Sequence, residues 1–153
     1  MSSYSLKKLN AGFTLIELLV VVGIIGILAA VGVVAYSGYV TSSKVKSAEN
    51  IIQQMALAQT EYYSDKGNYY TQDDGCTPDS SNTSKISDSD ALNVPVPDNI
   101  DFVFCVQKKN TINYEIIAES TVIFNSDTKE KCEIKFDNIS NKPKKTSAED
   151  CES

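Results

Sequence analysis

Residues 18–35 form an unbroken run of eighteen residues that are apolar or Gly, and this run limits the fold more than any other feature of the 153-residue chain. At about 1.5 Å of rise per residue, a helix over residues 13–35 is roughly 35 Å long, enough to cross a hydrocarbon core of about 30 Å. Its one charged residue is Glu17, and apart from Lys7 and Lys8 the remaining charge lies after residue 43. The chain therefore reads as a membrane-length segment joined to a polar domain. Residues 1–12 carry Lys7 and Lys8 and no acid, so the positive-inside rule puts them in the cytoplasm and the polar domain outside. Cys76, Cys105, Cys132 and Cys151 then all face an oxidising compartment, where an even number suits two disulfides.

Composition narrows the function. All 14 basic residues are Lys, and the chain contains neither Arg nor His. Ser-His-Asp and Cys-His catalysis and imidazole metal sites are thereby removed. No other catalytic constellation, metal site or cofactor motif stands out, so no enzymatic role is expected. With 20 acids and a formal charge of −6, the chain is also poorly suited to neutralising phosphates.

The residues at the start of the apolar run are Lys7-Lys8-Leu9-Asn10-Ala11-Gly12-Phe13-Thr14-Leu15-Ile16-Glu17-Leu18. This stretch resembles the N-terminus of a type IV prepilin of the type IVa-like kind. The resemblance implies a leader, residues 1–12, cut by prepilin peptidase between Gly12 and Phe13, with methylation of the new amino terminus at Phe13. It also implies an assembly role for Glu17, pairing with the Phe13 amine of a neighbouring subunit, against which stands intrachain capping of the helix start alone. An ordinary secretory signal ending near Ala30-Val31-Gly32 is the competing reading. It leaves Gly12, Phe13 and Glu17 unexplained, as does a plain anchor. A carboxylate in a membrane helix costs about 2.5–3.5 kcal/mol and calls for a partner.

Gly26 and Ala30 stand four apart, with Gly23, Ala29 and Gly32 nearby, a spacing that lets helices approach closely. The resemblance implies that residues 13–43 bundle in a filament core. Where the family usually has a Pro, this chain has Val34, so no Pro kink is expected there.

Helical periodicity continues through Ala48, Ile51, Ile52, Met55, Ala58 and Tyr62, which predicts one helix from about residue 14 to 65, stopped by Gly67. Its second half should pack on a sheet within a globular head, residues 44–153. Residues 56–70 also look like the helix end and Tyr-bearing loop of type IV pilins. Residues 71–99, rich in Ser, Asp, Asn and Thr with three Pro, read as a surface loop. Within it, residues 80–84 are a candidate glycan or contact surface, and Asn82 and Asn138 begin sequons that alone say little.

Alternation of Phe102, Phe104 and Val106, then Tyr114, Ile116 and Ala118, then Cys132, Ile134 and Phe136 predicts strands, with a turn at Lys108-Lys109-Asn110. The fold class is α+β: one long helix on three or four antiparallel strands, which is also the arrangement the resemblance implies. Four cysteines allow three connectivities. Pairing sequence neighbours, Cys76 with Cys105 and Cys132 with Cys151, is preferred, and the second pair resembles the C-terminal disulfide loop of pilins, here residues 132–151.

The resemblance implies a structural subunit of an extracellular pilus serving adhesion, motility or DNA uptake. Its partners are copies of itself, prepilin peptidase, the assembly machinery and, before assembly, the inner membrane. A type II secretion pseudopilin shares the N-terminal motif, although four cysteines favour a pilin. A DNA-binding competence pilin would need more than Lys108-Lys109 and the group Lys142, Lys144 and Lys145, which lies beside Glu149, Asp150 and Glu152, so nucleic acid is not an expected partner.

Overall fold

The computed structural model describes residues 12–72, 75–124, 130–146 and 151, without the side chains of Val34 and Ala35. Lys7, Lys8 and most of the leader, together with Glu149, Asp150 and Glu152, lie outside these residues. The chain divides into two units, residues 1–36 and 37–153.

Helix α1 runs Leu15–Lys66 and includes position 34 without a break. Gly67 ends it in the left-handed region at φ 76°, where its N–H donates to the Tyr63 carbonyl at 2.9 Å. In the first unit the described side chains of the helix are all exposed. α1 is the one helix among the described residues long and apolar enough to cross a membrane.

The second unit holds the core. Val45, Ala48, Ile51, Ile52 and Met55 form the buried face of α1, with Ala58 and Tyr62 packed at its margin. They meet a four-stranded antiparallel sheet in the order β1-β2-β3-β4: β1 Phe102–Asn110, β2 Asn113–Ile123, β3 Lys131–Asp137 and β4 Lys144–Lys145. Phe102, Phe104 and Val106, then Tyr114, Ile116 and Ala118, then Cys132, Ile134 and Phe136 are all buried. Alternation of side chains across the pleat explains why these triplets share a face.

Two expectations need correction. The turn expected at Lys108-Lys109-Asn110 lies further on, because β1 continues to Asn110 and pairs Lys108 with Tyr114. Lys109 stays in the strand through ion pairs with Glu115 at 3.1 Å and Asp137 at 3.8 Å. Second, the segment 71–99 is not simply a surface loop. It contains helix α2, Ser80–Ile86, capped where the Asp79 Oδ1 accepts the Asn82 N–H at 2.7 Å. A 3-10 turn follows at Asp98–Ile100, and Ile86, Leu92, Val94 and Ile100 enter the core. Lys144 and Lys145 form β4, the last of the three or four strands expected and an edge strand too short and too charged to invite a further one.

The opposite edge is closed by side chains. The Val106 N–H donates to Gln72 Oε1 and the Gln72 N–H to the Val106 carbonyl, both at 2.9 Å. The Phe104 N–H donates to Thr83 Oγ1 at 2.7 Å. Gln72 and Thr83 thus satisfy backbone groups that another strand would otherwise take. Cys76 and Cys105 are disulfide-bonded and tie the same segment to β1, while Cys132 is bonded to Cys151.

At the irregular end of β2, the register shifts between Glu119 and Ile123. Buried Ser120 repairs the ladder there. Its Oγ donates to the Val122 carbonyl at 2.7 Å and accepts the Cys132 N–H at 2.9 Å.

Candidate functional site

Gly12 and Phe13 precede α1, and Phe13 is 85% exposed. Thr14 stands at the N-cap position and Glu17 three residues on. The Glu17 N–H donates to Thr14 Oγ1 at 3.3 Å, while Glu17 Oε2 accepts the Thr14 N–H at 2.9 Å and its hydroxyl at 2.7 Å. This is a capping box, in which side chains at the first and fourth positions satisfy each other's orphan backbone donors. The Thr-x-x-Glu spacing directly before an apolar run carries that signal in the sequence.

All of this geometry survives a cut between Gly12 and Phe13, since it uses only atoms from Thr14 onward. Among the described residues Glu17 Oε1 accepts no hydrogen bond. One carboxylate oxygen therefore orders the helix start and the other remains available. Phe13, Ile16, Glu17, Val20 and Val21 line a shallow, open groove on this surface. Glu17 is its only charged member, so a cation entering it meets one carboxylate within an apolar wall.

The sites expected in the head resolve differently. Residues 80–84 are the first turns of α2, and the Asn82 Nδ2 donates to the Thr77 carbonyl at 2.9 Å. The Asn138 Oδ1 accepts the Tyr114 N–H at 3.2 Å. Both sequon amides thus serve the fold. Among the described residues no group of three His, Cys, Asp or Glu could hold a metal ion.

A family model described as a prokaryotic N-terminal methylation motif matches residues 7–33. Fimbrial protein EcpC of Eikenella corrodens is 52% identical over 62 residues, 40% of each chain. A type IV major pilin, PilE1 of Neisseria gonorrhoeae, is 42% identical over 64 residues, 42% of this chain and 39% of its own length. PilA of Myxococcus xanthus, also a type IV major pilin, is 37% identical over 75 residues, 48% of this chain and 34% of its own. The chain spans about two fifths of the length of the curated relatives it matches. No solved structure matches it significantly. The methylation motif ahead of an apolar helix, this group of relatives, and a long helix packed on a small antiparallel sheet make the chain similar to type IV pilins.

Proposed function

We propose that this chain is a structural subunit of a type IV pilus, made as an inner-membrane precursor and assembled into an extracellular filament. The observation that carries the reading is Glu17, a carboxylate in an apolar helix whose described side chains, in the first unit, are exposed on every side. A helix apolar all round needs lipid or other apolar helices around it. A lone carboxylate within it needs a cation. Cutting after Gly12 supplies that cation as the Phe13 amine, and the unused Oε1 of Glu17 offers a neighbouring subunit's amine a partner. Prepilin peptidase is the expected source of the cut, Phe13 the site of N-methylation, and the assembly machinery the source of the work that lifts residues 13–43 out of the membrane. The chain's own contribution is a preformed helix start, an apolar packing surface and a disulfide-held head.

Intact mass of the mature chain tests this reading. The expected product begins at a methylated Phe13, has lost Lys7 and Lys8, and so moves from a side-chain charge of −6 to −8. Gly12→Glu should leave uncut precursor in the membrane. Normal processing of that variant would remove the assignment.

A further inference from the structure

Besides Leu57 and Tyr63 on α1, the described part of the head exposes large apolar side chains at two places that the core and the candidate site leave unused, and they lie at opposite ends of one strand. Ile112, just before β2, is 72% exposed, and Ile139, in the turn after β3, is 69% exposed. The Tyr114 N–H bond to Asn138 and the register Glu115 opposite Asp137 bring these two turns to the same end of the sheet. At the far end of β2, Val122 and Ile123 are 41% and 54% exposed. With about 3.3 Å per residue, the two ends are roughly 30 Å apart.

The ends also differ in charge. At the first, Lys108 is exposed and, among the described residues, in no ion pair; Lys109 beside it is held by Glu115 and Asp137. At the second, Asp98 is exposed and, among the described residues, in no ion pair, near Asp101, which is paired with Lys44, while Lys131 opposite Ile123 is paired with Glu119. One end is thus apolar with a spare cation and the other apolar with a spare anion.

Two unlike, mutually complementary patches on one molecule can meet reciprocally across a two-fold axis or head to tail, and a filament calls for the second. A head-to-tail contact repeats without closing on itself. We propose that the Ile112–Ile139 end of one head docks on the Val122–Ile123 end of the head of a second copy of this chain. The proposal rests on the pilus reading and adds to it a specific head contact. With only four apolar side chains the contact is small, and its work is to set the register of heads whose helices supply most of the buried area.

The test is a photoreactive p-benzoylphenylalanine placed at Ile112 in the full-length chain, with cross-linking in assembled filaments. The expected product is a dimer whose joined peptide carries Val122 and Ile123. A cross-link to any other part of the head, or no dimer from abundant filaments, would overturn the contact. In parallel, Ile112→Asp sets an acid against the acidic end and should lower the ratio of filament to membrane-held subunit about tenfold, while adding Val122→Lys in the same chain should restore most of it. An undiminished ratio for Ile112→Asp would count equally against the contact. If Ile112→Asp fails to fold, seen as loss of both disulfides, the cross-link decides alone. Absence of filaments from the wild-type chain is a separate result, which would overturn the pilus reading itself.

Discussion

Gln59 and Tyr70 exchange two hydrogen bonds, the Gln59 Nε2 donating to the Tyr70 carbonyl at 2.7 Å and the Tyr70 N–H donating to Gln59 Oε1 at 2.9 Å. The Gln59 side chain is fully buried on the core face of α1, and it treats the chain leaving the helix as a neighbouring strand would. Burying an amide is costly unless both its ends are satisfied, and here both are. Gln59→Met keeps the volume and removes both bonds. It should lower stability by about 1–3 kcal/mol and loosen the segment after Gly67. Urea unfolding of the detergent-held mature chain checks this; a midpoint equal to wild type would show that the pair contributes nothing.

The two disulfides close loops of similar size, with sequence separations of 29 for Cys76–Cys105 and 19 for Cys132–Cys151. Loop-closure entropy therefore assigns each about 3 kcal/mol. Replacing Cys132 and Cys151 by Ser should cost that amount, with a fall in filament yield to match. Replacing Cys76 and Cys105 should cost a similar amount. The second loss has an added local effect, because the segment held by Cys76 also closes the β1 edge through Gln72 and Thr83. Amide exchange at Phe104 and Val106 should rise more in the Cys76/Cys105 variant than in the other, and equal protection in both would contradict this.

Tyr114 lies in the core against Tyr69 and Phe136, with ring centroids at 4.8 and 6.5 Å. Burial pushes its phenol up to about 12 from an ordinary 10.0. Between those values the unfolded chain gives up a proton that the folded chain keeps. Its contribution is thus complete below pH 10 and lost as pH rises towards 12. Tyr114→Phe keeps the ring and removes the ionisation, so its stability should fall less steeply than wild type across that window. Unfolding midpoints measured at several pH values above 9 supply the check, and parallel slopes would sink the assignment.

The apolar run, the length of α1, its stop at Gly67 and the buried triplets of β1, β2 and β3 were legible because each rests on a period or a single residue's conformational preference. The fold of residues 71–99 was not. α2 has only seven residues and one buried apolar side chain, Ile86, which is too little for a period to register. It is held by Asp79, Thr83 and a disulfide, and the polar residues that made the segment read as solvated are its fasteners. Lys108 and Lys109 misled for a related reason. Their charge suggested a turn, whereas the acids that retain Lys109 in the sheet, Glu115 and Asp137, come from β2 and β3. At the candidate site, Glu17 stood out by its cost in an apolar helix. Its bond to Thr14 was also written in the Thr-x-x-Glu spacing, so that capping of its own helix was legible beside a partner in another subunit.

That local partner sharpens the last prediction. The proposed function gives Glu17 two separable tasks: Oε2 completes the capping box with Thr14, and Oε1, which accepts no hydrogen bond among the described residues, would take the Phe13 amine of an adjacent subunit. Glu17→Ala removes both, whereas Thr14→Val removes only the hydroxyl's part in the box and leaves the carboxylate. Loss of a cap costs about 1 kcal/mol, which a membrane-spanning helix can absorb. Neither residue contributes to the core of the head. Both variants should therefore insert, be cut after Gly12 and form both disulfides, and Glu17→Ala should insert at least as well as wild type, since a carboxylate leaves the apolar span. Filaments should become scarce in Glu17→Ala and stay abundant in Thr14→Val. Co-expression of Glu17→Ala with wild type should partly restore its incorporation, because each altered subunit still offers its amine to a normal neighbour. Surface filament and membrane-held subunit, quantified across these strains, separate the two tasks. Equal defects in Thr14→Val and Glu17→Ala would reduce Glu17 to a helix cap, and full filament yield from Glu17→Ala would leave its carboxylate with no task in assembly at all.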